Sequence, residues 1–148
     1  MKIIIGGDHA GFGLKEEIKK YLTGKGLEVV DAGNTVYDEK DDYPDFAIPV
    51  ARRIAAGEAA KGILICGSGV GAVIAANKVA GARACLCHDI YSAKQGVRHD
   101  DMNILCLGGR IIGGALAEEL VDGFINEEYS FEERHQRRLD KVLALEQK

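Results

Sequence analysis

The sequence predicts an α/β fold: a single-domain, doubly wound, Rossmann-like three-layer arrangement around a five-stranded parallel sheet. Three observations carry this. Short apolar runs alternate along the chain with segments whose apolar residues recur at helical spacing. One stretch, Lys61 to Lys78 (KGILICGSGVGAVIAANK), reads as strand, glycine-rich loop and helix. The glycines and polar residues that could carry chemistry follow directly on strand-like runs, where ligands gather in a parallel sheet.

The elements follow in order. Lys2 to Gly7 is a first buried strand, with GGDHAG directly behind it. Phe12, Leu14, Ile18, Tyr21 and Leu22 mark a helix that Gly24 and Gly26 end. Leu27 to Asp31 is a second strand, and Gly33 to Tyr43 is a polar loop without a period. Pro44 and Asp45 start a helix that runs through Ala47, Val50, Ala51 and Ile54 to Gly57. After the central strand, loop and helix, Arg83 to His88 is a fourth strand and Asp89 to Val97 a helix. Asn103 to Leu107 is a fifth strand. Gly108, Gly109 and Arg110 follow it, then a helix through Leu116, Leu120, Val121 and Phe124, and a mixed-charge helix from Glu132 to Glu146.

With 148 residues, the chain has the length of one domain. A composition of 47% hydrophobic and 28% charged residues is that of a globular protein. No apolar run approaches the roughly 20 residues of a membrane span, and no signal-peptide layout precedes the first strand, so a cytoplasmic location is expected. A net charge of −4 argues against nucleic-acid or membrane-surface partners and for a small molecule. The cysteines show no C-x-x-C and no metal-ligand spacing. Cys85 and Cys87, two apart, would share one strand face, and with Cys106 they read as core.

Cys66 stands apart. Gly67, Gly69 and Gly71 follow it at alternate positions, and a helix follows them. Glycines let a ligand approach the backbone, and the first helical N–H groups are unpaired, so the loop predicts an anion site with a thiol at its lip. That field favours thiolate over thiol. Asp8 and His9 end the first strand on the same sheet edge, where an imidazole binds phosphate or moves a proton near neutral pH. His99, read as lying in the loop after the fourth helix, is a further acid–base candidate. Arg134 and Arg138 share a helix face, a fork suited either to phosphate or to solvent, with Glu132, Glu133 and Asp140 as partners. Arg110, behind two glycines, is equally ambiguous alone.

Two readings of the glycine loop compete. Gly67, Gly69 and Ala72 fit G-x-G-x-x-A, and Asp89 lies about where a ribose-binding acid would stand in a dinucleotide fold. Against this, the fingerprint usually opens the first unit of a larger domain. A cysteine-phosphatase loop fails because Ala72 and Val73 stand where its arginine is needed. A Walker loop fails because no Gly-Lys-Ser or Gly-Lys-Thr follows.

Taken together, GGDHAGFGLK, DYPDFA at 42 to 47, CGSGVGAVIAANK at 66 to 78, RHDDMN, GGRIIG at 108 to 113 and RHQRR at 134 to 138 resemble ribose-5-phosphate isomerase B and its sugar-phosphate isomerase relatives. The blocks run in order over nearly the whole chain. The resemblance implies a cofactor-free, metal-free aldose–ketose isomerase working through an enediolate, with a phosphorylated small sugar as partner. By similarity Cys66 is the base. Ser68 and the amides of Gly67, Gly69, Val70 and Gly71 hold the oxyanion, His99 opens the sugar ring, and Asp8 and His9 contact the substrate. Arg110, Arg134 and Arg138 take the phosphate.

The resemblance further implies a homodimer or dimer of dimers whose site is shared between subunits, with the last helix, about 130 to 146, at the interface. Relatives that carry a glutamate base six residues beyond the cysteine have Ala72 as its counterpart here. The sequence departs from the family pattern at Asp100, where Asn is usual, and at Glu132 and Glu133, where the pattern has Gly-Gly. Both departures bear on which sugar is used: ribose 5-phosphate, allose 6-phosphate, galactose 6-phosphate or a tetrulose phosphate.

Overall fold

The computed structural model describes residues 1–146. Five strands, β1 (Lys2–Gly7), β2 (Glu28–Asp31), β3 (Lys61–Cys66), β4 (Ala84–Leu86) and β5 (Ile104–Gly108), form one sheet in the order β2-β1-β3-β5-β4. Every pairing is parallel. The helices between and after them are α1 (Phe12–Gly24), α2 (Pro44–Ala55), α3 (Val70–Ala76), α4 (Ile90–Asp100), α5 (Gly114–Asn126) and α6 (Glu133–Leu143). This is the predicted α/β class.

Side chains of a strand point alternately to its two faces, and here both faces are covered. Ile3, Ile5, Ile63 and Ile65 meet Leu14 and Ile18 of α1, Val97 of α4 and Leu120 and Phe124 of α5 on one side. Ile4 and Leu64 meet Val50 and Ile54 of α2 and Ala76 of α3 on the other. Ile3, Ile4, Ile5, Ile18, Ile63 and Ile65 are fully buried, a contribution of about 1.5–3 kcal/mol apiece. Double coverage is why the central strands read as continuous apolar runs.

The chain leaves β1 for β2 on one side and returns to place β3 on the other, so the order reverses between β1 and β3. A crevice opens outside the carboxyl ends of strands at such a point. No helix among the described residues is long and apolar enough to cross a membrane.

Two expectations need correction. The fourth helix does not stop at Val97: it runs to Asp100, so His99 lies in its last turn rather than in a loop. Asp101 caps it in the left-handed region (φ 51) and donates its N–H to Val97 O, while Arg83 binds Asp101 through its carbonyl and its carboxylate. Polar composition in the final turn concealed that continuation. Cys85 is exposed, while Cys87 and Cys106 are buried. β4 is a three-residue edge strand, Cys85 on it borders an open groove together with Arg138 and Leu139, and Cys87 lies beyond the strand's end.

Candidate active site

β1 and β3 lie side by side, and their loops leave the sheet at the same edge. Gly11 makes the close approach possible. A Cβ built there would stand 1.9 Å from Ile65 O and 3.0 Å from Cys66 N, so the turn after β1 rests directly on the end of β3. Asp8, which is buried, ties that turn together by accepting the Ala10 and Gly11 N–H groups at 3.0 Å each.

Asp8, His9, Tyr43, Cys66, Ser68 and Arg110 line one open cavity of about 440 Å³, together with Ala10, Gly67, Gly71 and Ile111. Cys66 is 5% exposed, and its sulfur receives the Gly69 N–H at 3.2 Å. An N–H aimed at sulfur fixes the direction of the side chain. Gly69 adopts φ +84, and a Cβ there would come within 2.5 Å of Leu86 Cδ1 and 3.1 Å of the Leu107 carbonyl carbon. Only glycine turns the chain so that this amide faces back to the sulfur.

β5 braces the loop from the other side. Gly109 N–H donates to Cys66 O at 2.8 Å and Arg110 N–H to Gly67 O at 3.0 Å, which sets the Arg110 side chain beside Gly67. His88 Nε2 accepts the Gly108 N–H at 3.0 Å, so that nitrogen is unprotonated, and burial holds its pKa below the ordinary imidazole value. The sequence reading passed over His88, whose role is to brace this edge.

Two of the loop amides expected to face a ligand are engaged otherwise: Gly69 N–H on the Cys66 sulfur, and Val70 N–H on Ser68 Oγ at 3.3 Å. The Ser68 and Gly71 N–H groups find no acceptor among the described residues. A Cβ at Gly71 would stand 2.7 Å from the Tyr43 ring. Tyr43 is a cavity residue that the sequence reading did not select, although it sits inside the quoted DYPDFA block.

The remaining candidates do not line this cavity. His99 stacks on His135, ring centroids 3.9 Å apart, and borders a small hollow with Tyr91, Lys94, Gln95 and Arg98. His135 is buried and paired with Ser130 Oγ at 2.6 Å; burial lowers its pKa, and His99 and Arg134 push the same way. Asp100 and Arg138 line a separate groove of about 630 Å³ between the end of α4 and α6, floored by Met102 and Leu139. Arg134 is exposed and reaches Glu132 Oε2 at 3.4 Å. Glu132 is the N-cap residue of α6 and Glu133 its first residue, so these acids start the last helix. One chain therefore brings Asp8, His9, Cys66, Ser68 and Arg110 together and holds His99, Asp100, Arg134 and Arg138 on other surfaces.

Asp89 does not stand free as a ribose-binding acid would. Its side chain accepts the Ser92 N–H at 2.7 Å as the N-cap of α4, which accounts for the acid without a dinucleotide.

A doubly wound sheet with a thiol, a carboxylate, an imidazole and a guanidinium around one cavity at its switch point defines a small-molecule enzyme of the α/β class. Residues 3–142 match the model of the family described as Ribose/Galactose Isomerase, and the chain belongs to that family. It is 47% identical over 147 residues to ribose-5-phosphate isomerase B of Escherichia coli (strain K12), covering 99% of this chain and 97% of that protein. It is 38% identical over 148 residues to D-erythrulose-4-phosphate isomerase 2 of Mycolicibacterium smegmatis, covering 99% of this chain and 97% of that one. The structure of ribose-5-phosphate isomerase B from Mycoplasma genitalium with bound ribulose-5-phosphate superposes with a TM-score of 0.94 at 40% identity, over 99% of this chain and 97% of that one.

Proposed function

We propose that this protein interconverts ribose 5-phosphate and ribulose 5-phosphate through an enediolate, with Cys66 as the base. The carrying observation is the Cys66 thiol, directed by the Gly69 N–H into a cavity that also holds Ser68, Asp8, His9 and Arg110. Proton transfer beside a carbonyl needs a base on one side of the carbon and a stabilised oxygen on the other. The thiolate takes the proton from C2 of the open-chain aldose, and the electron pair passes into the enediolate. The thiol, whose proton exchanges with solvent, returns a proton to C1 while the hydroxyl proton moves from O2 to O1, so the overall step is a balanced isomerisation. The Ser68 and Gly71 N–H groups, without acceptors among the described residues, belong to residues that line the same cavity as Cys66 and would hold the oxyanion.

Ring opening and phosphate binding call on His99, Asp100, Arg134 and Arg138, which in a single chain face away from Cys66. The reading therefore includes a site shared between two copies: the partner presents its α4 end and its α6 to the cavity, and Arg110 joins the two arginines at the phosphate. The last helix then lies at the subunit interface, and a lone chain is inactive.

Proton NMR of four-, five- and six-carbon sugar phosphates incubated with the protein in D2O tests both chemistry and substrate. Deuterium should enter ribose 5-phosphate at C2 and ribulose 5-phosphate at C1, and not with Cys66→Ala. Exchange with a four- or six-carbon sugar phosphate instead would reassign the substrate. Exchange that survives Cys66→Ala would remove Cys66 from the role of base.

A further inference from the structure

We propose that Asp41 is a positioning residue for His9, fixing the imidazole with Nδ1 on the carboxylate and Nε2 free for the cavity that Cys66, Ser68 and Arg110 line. The consequence for turnover rests on the isomerase reading above. The His9–Asp41 unit itself rests on geometry.

Asp41 Oδ1 accepts the backbone N–H of His9 at 2.9 Å and lies 2.7 Å from His9 Nδ1. Its other oxygen accepts from Asn34 Nδ2 at 2.6 Å. Only 9% of the Asp41 side chain is exposed, and Asn34 is buried. The anchor continues inward. Asn34 N–H donates to Gly7 O and Gly7 N–H to Gly33 O, each at 2.8 Å, so the acidic loop is tied to the end of β1, the strand that carries His9 just beyond it. Gly33 N–H in turn donates to Asp31, whose carboxylate holds the fully buried Lys15 at 2.6 Å. A side chain that only closed a loop would need one such bond. This one grips both the main chain and the ring of His9.

A carboxylate accepts and does not donate, so Nδ1 carries a proton in either charge state of the ring. That leaves Nε2, which has no partner among the described residues, as the atom offered to a ligand. The charged groups facing the imidazole are Asp41, Asp8 and Arg110. The Asp41 hydrogen bond raises the pKa of His9 above its ordinary value, Asp8 adds to this, and burial and Arg110 oppose it. Burial alone would raise Asp41, but the bonds from the His9 N–H, its ring and Asn34 outweigh it and keep the carboxylate ionised. The unit thus presents Nε2 to the cavity that Arg110 also lines, as an N–H donor to an anionic or hydroxyl oxygen when the ring is charged and as an acceptor from a substrate hydroxyl when it is neutral.

The test uses the full-length protein with 15N-labelled histidine, the His9 signals being assigned with His9→Gln. Asp41→Asn preserves shape, and the unpartnered Asn34 Oδ1 can turn to accept from the new amide, so this variant is expected to fold. In the native protein the His9 nitrogen shifts should show Nδ1 protonated throughout the titration. In Asp41→Asn the midpoint should fall, and in Asp41→Ala the neutral ring should divide between tautomers. KM for ribose 5-phosphate at neutral pH should rise about tenfold in Asp41→Asn, the scale of one charge-assisted hydrogen bond, with kcat affected much less.

Native His9 shifts and midpoint in both variants would overturn the proposal. So would a lowered melting temperature accompanied by native His9 signals and native KM, which would make Asp41 a loop anchor only. If the native protein turns over no sugar phosphate, the isomerase reading fails, and the nitrogen shifts alone decide for or against the His9–Asp41 unit.

Discussion

Gly11 and Gly13 lie two residues apart at the start of α1, and alanine should act on them with opposite sign. At Gly11 the new methyl would stand 1.9 Å from Ile65 O and 2.4 Å from the Ile65 carbonyl carbon. These are backbone atoms of a central strand and cannot swing aside, so the Asp8–Gly11 turn must lift. Overpacking of this kind costs about 1–3 kcal/mol. The lift also weakens the two N–H bonds to Asp8 Oδ1, about 1 kcal/mol each. The total of about 3–5 kcal/mol corresponds to a melting temperature lower by roughly 10 °C for a chain of this size. At Gly13 a Cβ meets nothing within 4 Å, and the residue is exposed in helix, so alanine should raise stability by up to about 1 kcal/mol. Thermal unfolding of the three proteins side by side measures this. The same lift moves Asp8 and His9 away from Cys66, and a displacement of about 1 Å in a reacting constellation costs on the order of 100-fold in rate. Turnover of ribose 5-phosphate should therefore collapse in Gly11→Ala and persist in Gly13→Ala. A Gly11→Ala protein that melts with the native one and turns over at the native rate would refute the argument that this contact seats the site.

Other consequences can be checked alongside. Cys66→Ala and Arg138→Ala should each be inactive, yet after subunit exchange in an equal mixture about one quarter of native activity should return, since random pairing in a two-fold dimer leaves one intact site in half the dimers; no recovery would refute the shared site. Lys61 is buried at the start of β3, the end opposite Cys66, and donates to Phe124 O and Glu127 O at 2.6 Å each, closing the C-terminus of α5. Lys61→Met should lower the unfolding free energy in urea by about 2–3 kcal/mol while the folded fraction keeps its activity. His135 is held below the ordinary imidazole value of 6.5 by burial and by His99 and Arg134. The unfolded chain therefore binds the proton first, so the stability His135 contributes is complete above that value and is lost as pH falls through the lower folded one. His135→Gln should flatten the fall in melting temperature between pH 7 and pH 5.

How far the sequence reaches follows from the range of each interaction. Strands and helices were legible because both faces of the sheet are covered, which leaves unbroken runs such as Ile3 to Ile5 and Ile63 to Ile65. The Cys66 loop was legible because its parts are consecutive: the amide that meets the sulfur belongs to Gly69, three residues on. Asp41 was not, because its partner His9 lies 32 residues away and the loop between shows only acidic composition. The end of α4 was missed because capping by Asp101 depends on Arg83, 18 residues before it.

His99, Asp100, Arg134 and Arg138 present a different case. Their spacing suggests chemistry, yet in the folded chain they line a hollow and a groove apart from Cys66, or lie exposed. No packing within one chain makes the order of these residues useful to the cavity at β1 and β3. A second copy would, since an α4–α6 surface held together by the His99–His135 stack can be offered as a unit to a neighbour's open cavity. The arrangement also separates the two tasks of the proposed reaction. On that reading proton transfer would be built on the sheet edge around Cys66, and phosphate capture would rest in part on helices that meet it only through association. Activity and assembly would then be coupled, and dilution below the dimer dissociation constant should silence the enzyme without unfolding it.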